Sequence, residues 1–274
     1  METEKIEIEY DNQLLQIEYF PRHGARKTGE KTILYIHGLG CSKDDFATAA
    51  KVKELERFAL VAFDFPGCGN SSYPKATALD MDDLVEIAHL IVTGLDLGDL
   101  VVVGHSMGGL VALLYVERYG KQVKGFINVE GNLASEDCFF SREALKYSFS
   151  GFKESVFPNR VEELSRSGNK GFREFAKTLA TCSSPKAFFD YCPSLVDYSD
   201  NGDLVQKMVT LRIPRLYVRG SESPKPSYLD KLSESGIKIA EIANSNHFPG
   251  SDNPKEYYAA IAGFLNDNLG ENSI

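Results

Sequence analysis

The sequence predicts an α/β protein in which a mostly parallel β-sheet is covered by helices on both faces. Short apolar runs recur along the chain, and amphipathic helical patterns separate them. Several runs are apolar throughout, as expected for parallel strands that are buried on both faces. The runs are Thr32–Ile36, Ala59–Phe63, Leu100–Val103, Phe126–Val129, Leu216–Val218 and Ile237–Ile242.

The elements that flank these runs have their own signals. Apolar residues alternate on both sides of the segment 11–13, Asp-Asn-Gln, which predicts an N-terminal hairpin. Asp80 is a candidate N-cap for a helix whose apolar residues repeat at helical spacing until Gly94. Near the C-terminus, Asn253 and Pro254 are a cap residue and a proline at the first helical position, and they predict a final helix.

Residues 132–210 break the alternation of strands and helices. This stretch contains no convincing strand, is rich in Phe and Tyr, and is divided by Gly and Pro into short helical pieces. It therefore predicts a helical insertion between two strands. We expect its aromatic rings to pack the insertion onto the sheet, and some of them to line an apolar substrate pocket.

Composition excludes several classes of protein. The 274 residues are 43% hydrophobic and 25% charged, as in an ordinary globular chain. Thirty Lys plus Arg against 39 Asp plus Glu give a net charge of −9, which argues against a general affinity for nucleic acid. The sequence lacks an apolar run of about 18 residues and an N-terminal secretory pattern, so we expect neither a membrane span nor export. Five cysteines without paired spacing predict reduced thiols in the cytoplasm.

The segment Gly104-His105-Ser106-Met107-Gly108 carries the strongest chemical signal. An apolar run leads directly into Gly104, and a helical pattern follows directly after Ser106. A serine on such a strand–turn–helix elbow is held in a tight backbone conformation, with its hydroxyl projecting from the sheet at a helix N-terminus. Ser106 is therefore a candidate nucleophile. The alternative is a glycine-rich turn in which Ser106 only caps the helix.

With this elbow, the chain resembles the α/β-hydrolase-fold enzymes. The resemblance covers nearly the whole chain and depends on four landmarks in the family's order. They are the segment 36–40 (Ile-His-Gly-Leu-Gly), the segment 64–71 (Asp-Phe-Pro-Gly-Cys-Gly-Asn-Ser), the elbow at Ser106, and the late His247. The resemblance implies an eight-stranded sheet with a helical cap inserted after the sixth strand. The cap would be residues 132–210, and the core domain residues 1–131 and 211–274.

Acyl transfer requires hydrogen-bond donors for the oxyanion of the tetrahedral intermediate. Met107 follows the nucleophile at the start of a helix and can offer its backbone N–H. Similar enzymes take a second donor from the residue after His-Gly, which is Leu39 here. The carboxyl group of Asp64 is expected to accept hydrogen bonds from loop amides in a structural turn, not to act in catalysis.

A serine needs a base that titrates near neutrality, normally a histidine. His247 follows the last predicted strand and precedes the last helix, where similar enzymes place the base. The other histidines are assigned different positions. We expect His105 to pack inside the elbow, His37 to belong to the oxyanion loop, His89 to be solvated, and His23 to lie in a polar linker.

The acid partner of the histidine departs from the family's commonest pattern. That pattern has an Asp three residues after the glycine that ends the penultimate strand, and this position after Gly220 is Ser223. The candidates are Glu222, one position away on a loop, and Glu130, at the end of the strand after the nucleophile helix. We favour Glu130, because a carboxylate at the end of a buried strand needs a partner and His247 would supply it.

These residues predict a serine hydrolase without a cofactor or metal, acting on a small-molecule ester or related acyl compound with an apolar moiety. Ser106, His247 and Glu130 would form the catalytic triad, with Leu39 and Met107 as the oxyanion hole. Epoxide hydrolase and dehalogenase chemistry are disfavoured, because those relatives attack with a carboxylate. Thioester or carbon–carbon bond hydrolysis on the same triad stays open, as does a ligand-binding protein with little turnover.

Overall fold

The structure is a computed structural model and describes residues 2–23, 31–74 and 77–269. Its centre is one eight-stranded sheet in the order β1-β2-β4-β3-β5-β6-β7-β8. The strands β1 and β2 pair antiparallel, β2 also pairs antiparallel with β4, and all other pairs are parallel. The strands are β1 (Glu4–Tyr10), β2 (Gln13–His23), β3 (Thr32–Ile36), β4 (Ala59–Phe63), β5 (Leu100–His105), β6 (Val123–Val129), β7 (Arg215–Gly220) and β8 (Lys238–Ile242). The predicted fold class, an α/β hydrolase fold with an eight-stranded, mostly parallel sheet, is confirmed.

The predicted strands and hairpin fall where the sequence places them, with small shifts at the ends. Each of the six apolar runs lies in a strand, although Ile237 precedes β8 and does not belong to it. In the hairpin, Asp11 and Asn12 both have positive φ, +47° and +55°. Two consecutive left-handed residues match the twist of the flanking strands, which explains why Asp and Asn occupy this turn.

Helices cover both faces of the sheet. On one side α1 (Met81–Gly94) and α2 (Met107–Tyr119) pack on the strands, and on the other side the C-terminal helix does so. Asp80 caps α1 and forms a capping box with Asp83, as the sequence predicts. None of the described helices is both long and apolar enough to cross a membrane.

The segment between β6 and β7 is helical, as expected of a cap. After a 3₁₀ turn (Ser135–Asp137) come α3 (Phe139–Ala144), α4 (Phe149–Gly151), a π-helical turn (Phe152–Val156), α5 (Phe157–Ser165), α6 (Lys170–Cys182), α7 (Pro185–Asn201) and α8 (Leu204–Thr210). The remaining helices are α9 (Leu229–Glu234), α10 (Pro249–Asp252) and α11 (Pro254–Leu269). The division into a core domain (1–131 and 211–274) and a cap domain (132–210) stays a prediction.

The topology brings six loops to one edge of the sheet. The strands β4, β3, β5, β6, β7 and β8 are parallel neighbours, so the loops that follow their carboxyl ends lie side by side. In open α/β sheets, ligands bind in the crevice outside these ends. Every candidate site residue named from the sequence follows one of these strands.

Candidate active site

Ser106 lies on a sharp turn between β5 and α2. Its backbone has φ 54° and ψ −125°, a conformation that residues other than glycine rarely adopt. The turn needs small neighbours, because a Cβ on Gly104 would lie 2.2 Å from the carbonyl oxygen of Gly108. A Cβ on Gly108 would lie 2.3 Å from the carbonyl oxygen of Ile36 at the end of β3. The half-buried serine is therefore held at the carboxyl edge of the sheet and at the N-terminus of α2.

The loop after β3 packs against this turn. A Cβ on Gly38 would lie only 3.0 Å from the Cβ of Ser106. Within the described parts of the chain, the backbone N–H groups of Leu39 and Met107 donate no hydrogen bond. Leu39 also lines the cavity beside Ser106. The N–H groups of Leu39, in the loop after β3, and of Met107, directly after Ser106, are therefore available as hydrogen-bond donors.

Glu130 and His247 meet in the loops that follow β6 and β8. Glu130 Oε2 lies 3.5 Å from His247 Nδ1, and the two side chains are 11 and 12% exposed. The other carboxylate oxygen, Oε1, accepts a hydrogen bond of 2.6 Å from the N–H of Gly220. Glu130 has φ +47°, which carries a conformational cost, and its own N–H donates to the carbonyl of Val218. The ends of β6 and β7 together therefore hold this carboxylate against the imidazole.

The second candidate acid lies elsewhere. Glu222 is exposed, and its backbone N–H donates to the carbonyl of Ser245. Among the described residues, Glu130 is the one carboxylate within 4.0 Å of a ring nitrogen of His247. The structure therefore pairs His247 with Glu130 and leaves Glu222 on the surface.

His105 is buried next to both Ser106 and His247. Its Nε2 lies 2.8 Å from the carbonyl oxygen of His247, and the two ring centroids are 5.0 Å apart. A carbonyl oxygen only accepts, so Nε2 carries the proton and donates. Burial lowers the pKa of His105 to about 3, which keeps the ring neutral. His105 thus links the elbow to the loop that carries His247, a contact that the sequence does not reveal.

His37 and Asp64 have structural roles in the neighbouring loops. His37 Nε2 accepts the N–H of Phe65 at 3.0 Å, so its Nδ1 carries the proton and donates to the carbonyl of Gly38. Asp64, which is fully buried, accepts the backbone N–H of Lys43 at 2.7 Å. The ammonium of Lys43 bridges Asp64 and Glu18 at 2.8 and 2.6 Å. These bonds fix the course of the chain after β3 and β4.

The structure corrects both expectations about the remaining histidines, His89 and His23. The expectation of a solvated His89 is wrong, because its ring stacks on Tyr119 of the next helix at a centroid distance of 3.7 Å. Periodicity within α1 identifies the face that packs on the sheet, but not a contact with a neighbouring helix. His23 ends β2 and so belongs to a strand, not to a linker.

A cavity of about 20 Å³ lies beside Ser106 and His247. Its walls include Phe139 and Phe140 of α3 and Phe175 of α6. This volume holds about one water-sized group. The cavity beside Ser106 is therefore narrow, and three phenylalanine rings form part of its wall.

Other aromatic rings of residues 132–210 pack away from this cavity. Phe157 stacks edge-on against Phe152 and Phe188, with centroids 5.6 and 5.8 Å apart, and all three are buried in the core. Some aromatic rings of this segment thus pack in the core and others line the cavity beside Ser106, and the expectation that this cavity is a substrate pocket stays a prediction.

Asp137 is a polar residue of the site that sequence reasoning missed. Its carboxylate accepts the N–H groups of Leu133 and Ala134 and faces the hydroxyl of Tyr228. Burial raises the pKa of Asp137 to about 6. It lines the cavity beside Ser106 and also a larger groove on the outer side of His247. In the sequence Asp137 resembles an ordinary turn residue. Its position a few residues after β6 does not indicate that it lies at the cavity beside Ser106.

The sheet, the elbow and the helical segment after β6 are together typical of the α/β-hydrolase fold. The family described as "alpha/beta hydrolase fold" matches residues 31–164. The chain also superposes on a solved structure from work on carboxylesterases of the thaumarchaeon Nitrososphaera gargenis, with a TM-score of 0.77, 17% identity, and 95 and 97% of the two chains covered. The protein therefore has the fold of the α/β hydrolases, and the family's model matches just under half of its residues.

Curated relatives are similar over different lengths. Lipase 3 of a Moraxella species is 36% identical over 98 residues, which is 35% of this chain and 30% of the lipase. An AB hydrolase superfamily protein of Bacillus subtilis is 22% identical over 253 residues, covering 86% of this chain and 92% of that protein. The chain spans about a third of the length of the relatives it matches at 31 and 36% identity, namely 36 and 30%.

Proposed function

We propose that the protein is a serine hydrolase that cleaves carboxylic esters of small molecules through an acyl-enzyme intermediate. Ser106 is the nucleophile, His247 the general base and acid, and Glu130 the acid that orients His247. The N–H groups of Leu39 and Met107 form the oxyanion hole. No cofactor or metal enters this proposal.

One observation carries the proposal: the carboxylate of Glu130 lies 3.5 Å from Nδ1 of an imidazole that shares a cavity with Ser106. A carboxylate at Nδ1 keeps the proton on that nitrogen, which leaves Nε2 free to accept the serine proton. A protein that only bound a ligand would have no need for this order of groups. The arrangement therefore favours turnover over simple binding.

The reaction has two halves, formation and hydrolysis of the acyl-serine, and each half includes two proton transfers. Ser106 Oγ attacks the ester carbonyl and gives its proton to His247 Nε2, and the oxyanion forms at the two amides. The carbon–oxygen bond breaks as the imidazolium passes that proton to the leaving alcohol. Water then attacks the acyl-serine, again through His247, and releases the carboxylic acid and free Ser106.

The volume of the cavity limits the size of the acyl group that the site can accept. Its volume of about 20 Å³ and its phenylalanine walls fit a short apolar acyl chain such as acetyl. A longer chain would have to displace aromatic side chains of the cap. The substrate class we propose is therefore an ester with a short acyl part.

The cysteines support the expected location. Four of the five are buried, and all five are free thiols. Unpaired cysteines are usual in a reducing compartment. We propose that the protein is cytoplasmic.

Labelling and hydrolysis test the proposal directly. We expect a fluorophosphonate to label Ser106 rapidly, and p-nitrophenyl acetate to be hydrolysed. Ser106→Ala is expected to lose the label and to lower kcat by about 10³- to 10⁶-fold, with an unchanged Tm. Retention of more than a few per cent of the activity, or labelling of another residue, would overturn the assignment. Slow labelling of the parent protein without ester turnover would favour a ligand-binding protein.

A further inference from the structure

A groove of about 410 Å³ lies on the outer side of His247. It shares Asp137, Phe139 and His247 with the cavity of about 20 Å³ beside Ser106. Phe139 is 47% exposed and packs edge-on against the His247 ring at 5.4 Å. Phe139 and His247 therefore separate a narrow inner space from a wide outer one, which we call the outer groove.

The position of His247 decides what each space can hold. In the proposed reaction Nε2 of the imidazolium gives its proton to the leaving alcohol, so the alcohol oxygen lies beside Ser106 and the rest of the alcohol must extend beyond the inner cavity. The inner cavity fits a short acyl group and little more. The outer groove, the larger of these two spaces that His247 lines, has room for an alcohol part.

The charges of the outer groove are predominantly negative. Glu130, Glu136 and Asp137 line it, against one cation, Lys225. The ammonium of Lys225 lies 2.8 Å from Asp230, so its charge is already paired. Among the residues that the structure describes, Glu136 accepts hydrogen bonds only from the backbone N–H and the hydroxyl of Ser227, which are neutral donors. The negative charge of the groove is therefore not compensated by its own walls.

Two further features of the walls favour a cationic ligand that also forms hydrogen bonds. The rings of Phe139 and Phe172 line the groove, and aromatic faces attract ammonium groups, quaternary ones included. Ser223 also lines it, is more than nine-tenths buried, and has a hydroxyl without a partner among the described residues. A bound molecule could supply that partner.

We propose that the outer groove binds the leaving alcohol of the ester and selects amino alcohols, which carry a positive charge, over neutral alcohols and over anionic ones. The inference rests on the proposed function for the position of the ester bond. The charge selection itself follows from the groove and can be measured without turnover.

The kinetic test compares three acetate esters of similar shape. They are acetylcholine, 3,3-dimethylbutyl acetate, in which carbon replaces the charged nitrogen, and the anionic acetyl isethionate. At pH 8 and low salt we expect kcat/KM to be about three- to tenfold higher for the cationic ester than for the neutral one, and lowest for the anionic one. The preference should fall in 0.5 M NaCl, because salt screens partly exposed charges.

Variants locate the effect in the groove. Glu136→Gln removes one exposed negative charge and should lower the cationic-to-neutral ratio by about two- to threefold. Lys225→Gln removes the one cation and should raise the ratio. Glu54→Gln, an exposed carboxylate in another part of the chain, should leave it unchanged. A ratio near one in the parent protein, or equal effects of Glu136→Gln and Glu54→Gln, would overturn the proposal.

A binding measurement separates this proposal from the proposed function. Calorimetric titration of the Ser106→Ala protein with choline and with 3,3-dimethylbutanol requires no hydrolysis. We expect choline to bind at least about threefold more tightly, with the difference reduced in the Ser106→Ala, Glu136→Gln double variant. Equal binding would refute the charge selection even if esters are cleaved. Tighter choline binding without hydrolysis of any ester would support the groove and refute the hydrolase.

Discussion

The amide replacement Glu130→Gln tests the least usual part of the site. The N–H of Gly220 donates to Oε1 of Glu130 at 2.6 Å, so the oxygen of a glutamine is expected to take that place. The NH₂ group would then face His247 Nδ1. A donor at Nδ1 forces the ring proton onto Nε2, and Nε2 then cannot accept the proton of Ser106.

The expected loss follows from the distance between the two groups. A carboxylate 3.5 Å from the imidazolium contributes about 5 kcal/mol at an effective dielectric constant of about 20. An increase of 1.36 kcal/mol in the activation barrier lowers the rate about tenfold. The two side chains are 11 and 12% exposed, so solvent screens part of the attraction between them. We therefore expect kcat for p-nitrophenyl acetate to fall by about 10²- to 10⁴-fold in Glu130→Gln.

The assay needs a matched control and a check on folding. Glu222→Gln makes the same chemical change on an exposed side chain two residues after Gly220, and it should stay within about threefold of the parent. Thermal unfolding should show that Glu130→Gln folds normally. If Glu130→Gln kept more than a tenth of the activity, or if Glu222→Gln lost as much, the acid would be misassigned. If neither variant lost activity, His247 would work as an unassisted base and the ligand-binding alternative would gain support.

Three further changes test other parts of the structure. His105→Leu, which removes the donor to the His247 carbonyl, should lower kcat about tenfold at unchanged KM, and His105→Gln should restore part of it. Lys43→Met should lower the free energy of unfolding in urea by about 3–5 kcal/mol because it leaves buried carboxylates unpaired, whereas the exposed Lys53→Met should change it by less than about 0.5 kcal/mol. Phe140→Ala should change a preference for acetyl esters into a rise of about fourfold in kcat/KM per added methylene up to butyryl. These expectations would be contradicted by a parent protein that already prefers butyryl esters, by a Lys43→Met protein as stable as its control, or by equal activity of the two His105 variants.

The strands and the elbow could be predicted because their signals are local. A strand buried on both faces is expected to be apolar; β4 shows that pattern without interruption, and β3 and β5 show it except at Thr32 and His105 at their ends. The turn at Ser106 needs glycine at Gly104 and Gly108 for steric reasons that the sequence displays directly. The choice of Glu130 as acid used the same kind of argument, since a charge at the end of a buried strand requires a partner.

The size of the acyl cavity could not be predicted, because it depends on how the helices of residues 132–210 lie on the core. The sequence shows many aromatic residues in this segment but does not say which rings reach Ser106. Phe139 and Phe140 do so because α3 begins directly after the 3₁₀ turn that Asp137 stabilises. The narrowness of this cavity is the reason that we expect a preference for short acyl groups.

The position of the acid and the character of the outer groove are connected. In the family's commonest pattern the carboxylate would stand at Ser223, on the loop after β7. Here Glu130 reaches His247 from β6, and the N–H of Gly220 holds it there. The loop after β7 is then free to form a wall of the groove with Pro224, Lys225 and a serine whose hydroxyl lacks a partner among the described residues. A carboxylate at the end of β6 thus keeps the contact with Nδ1 of His247, and in the reaction we propose it leaves the loop after β7 free to line the leaving-group side of the site.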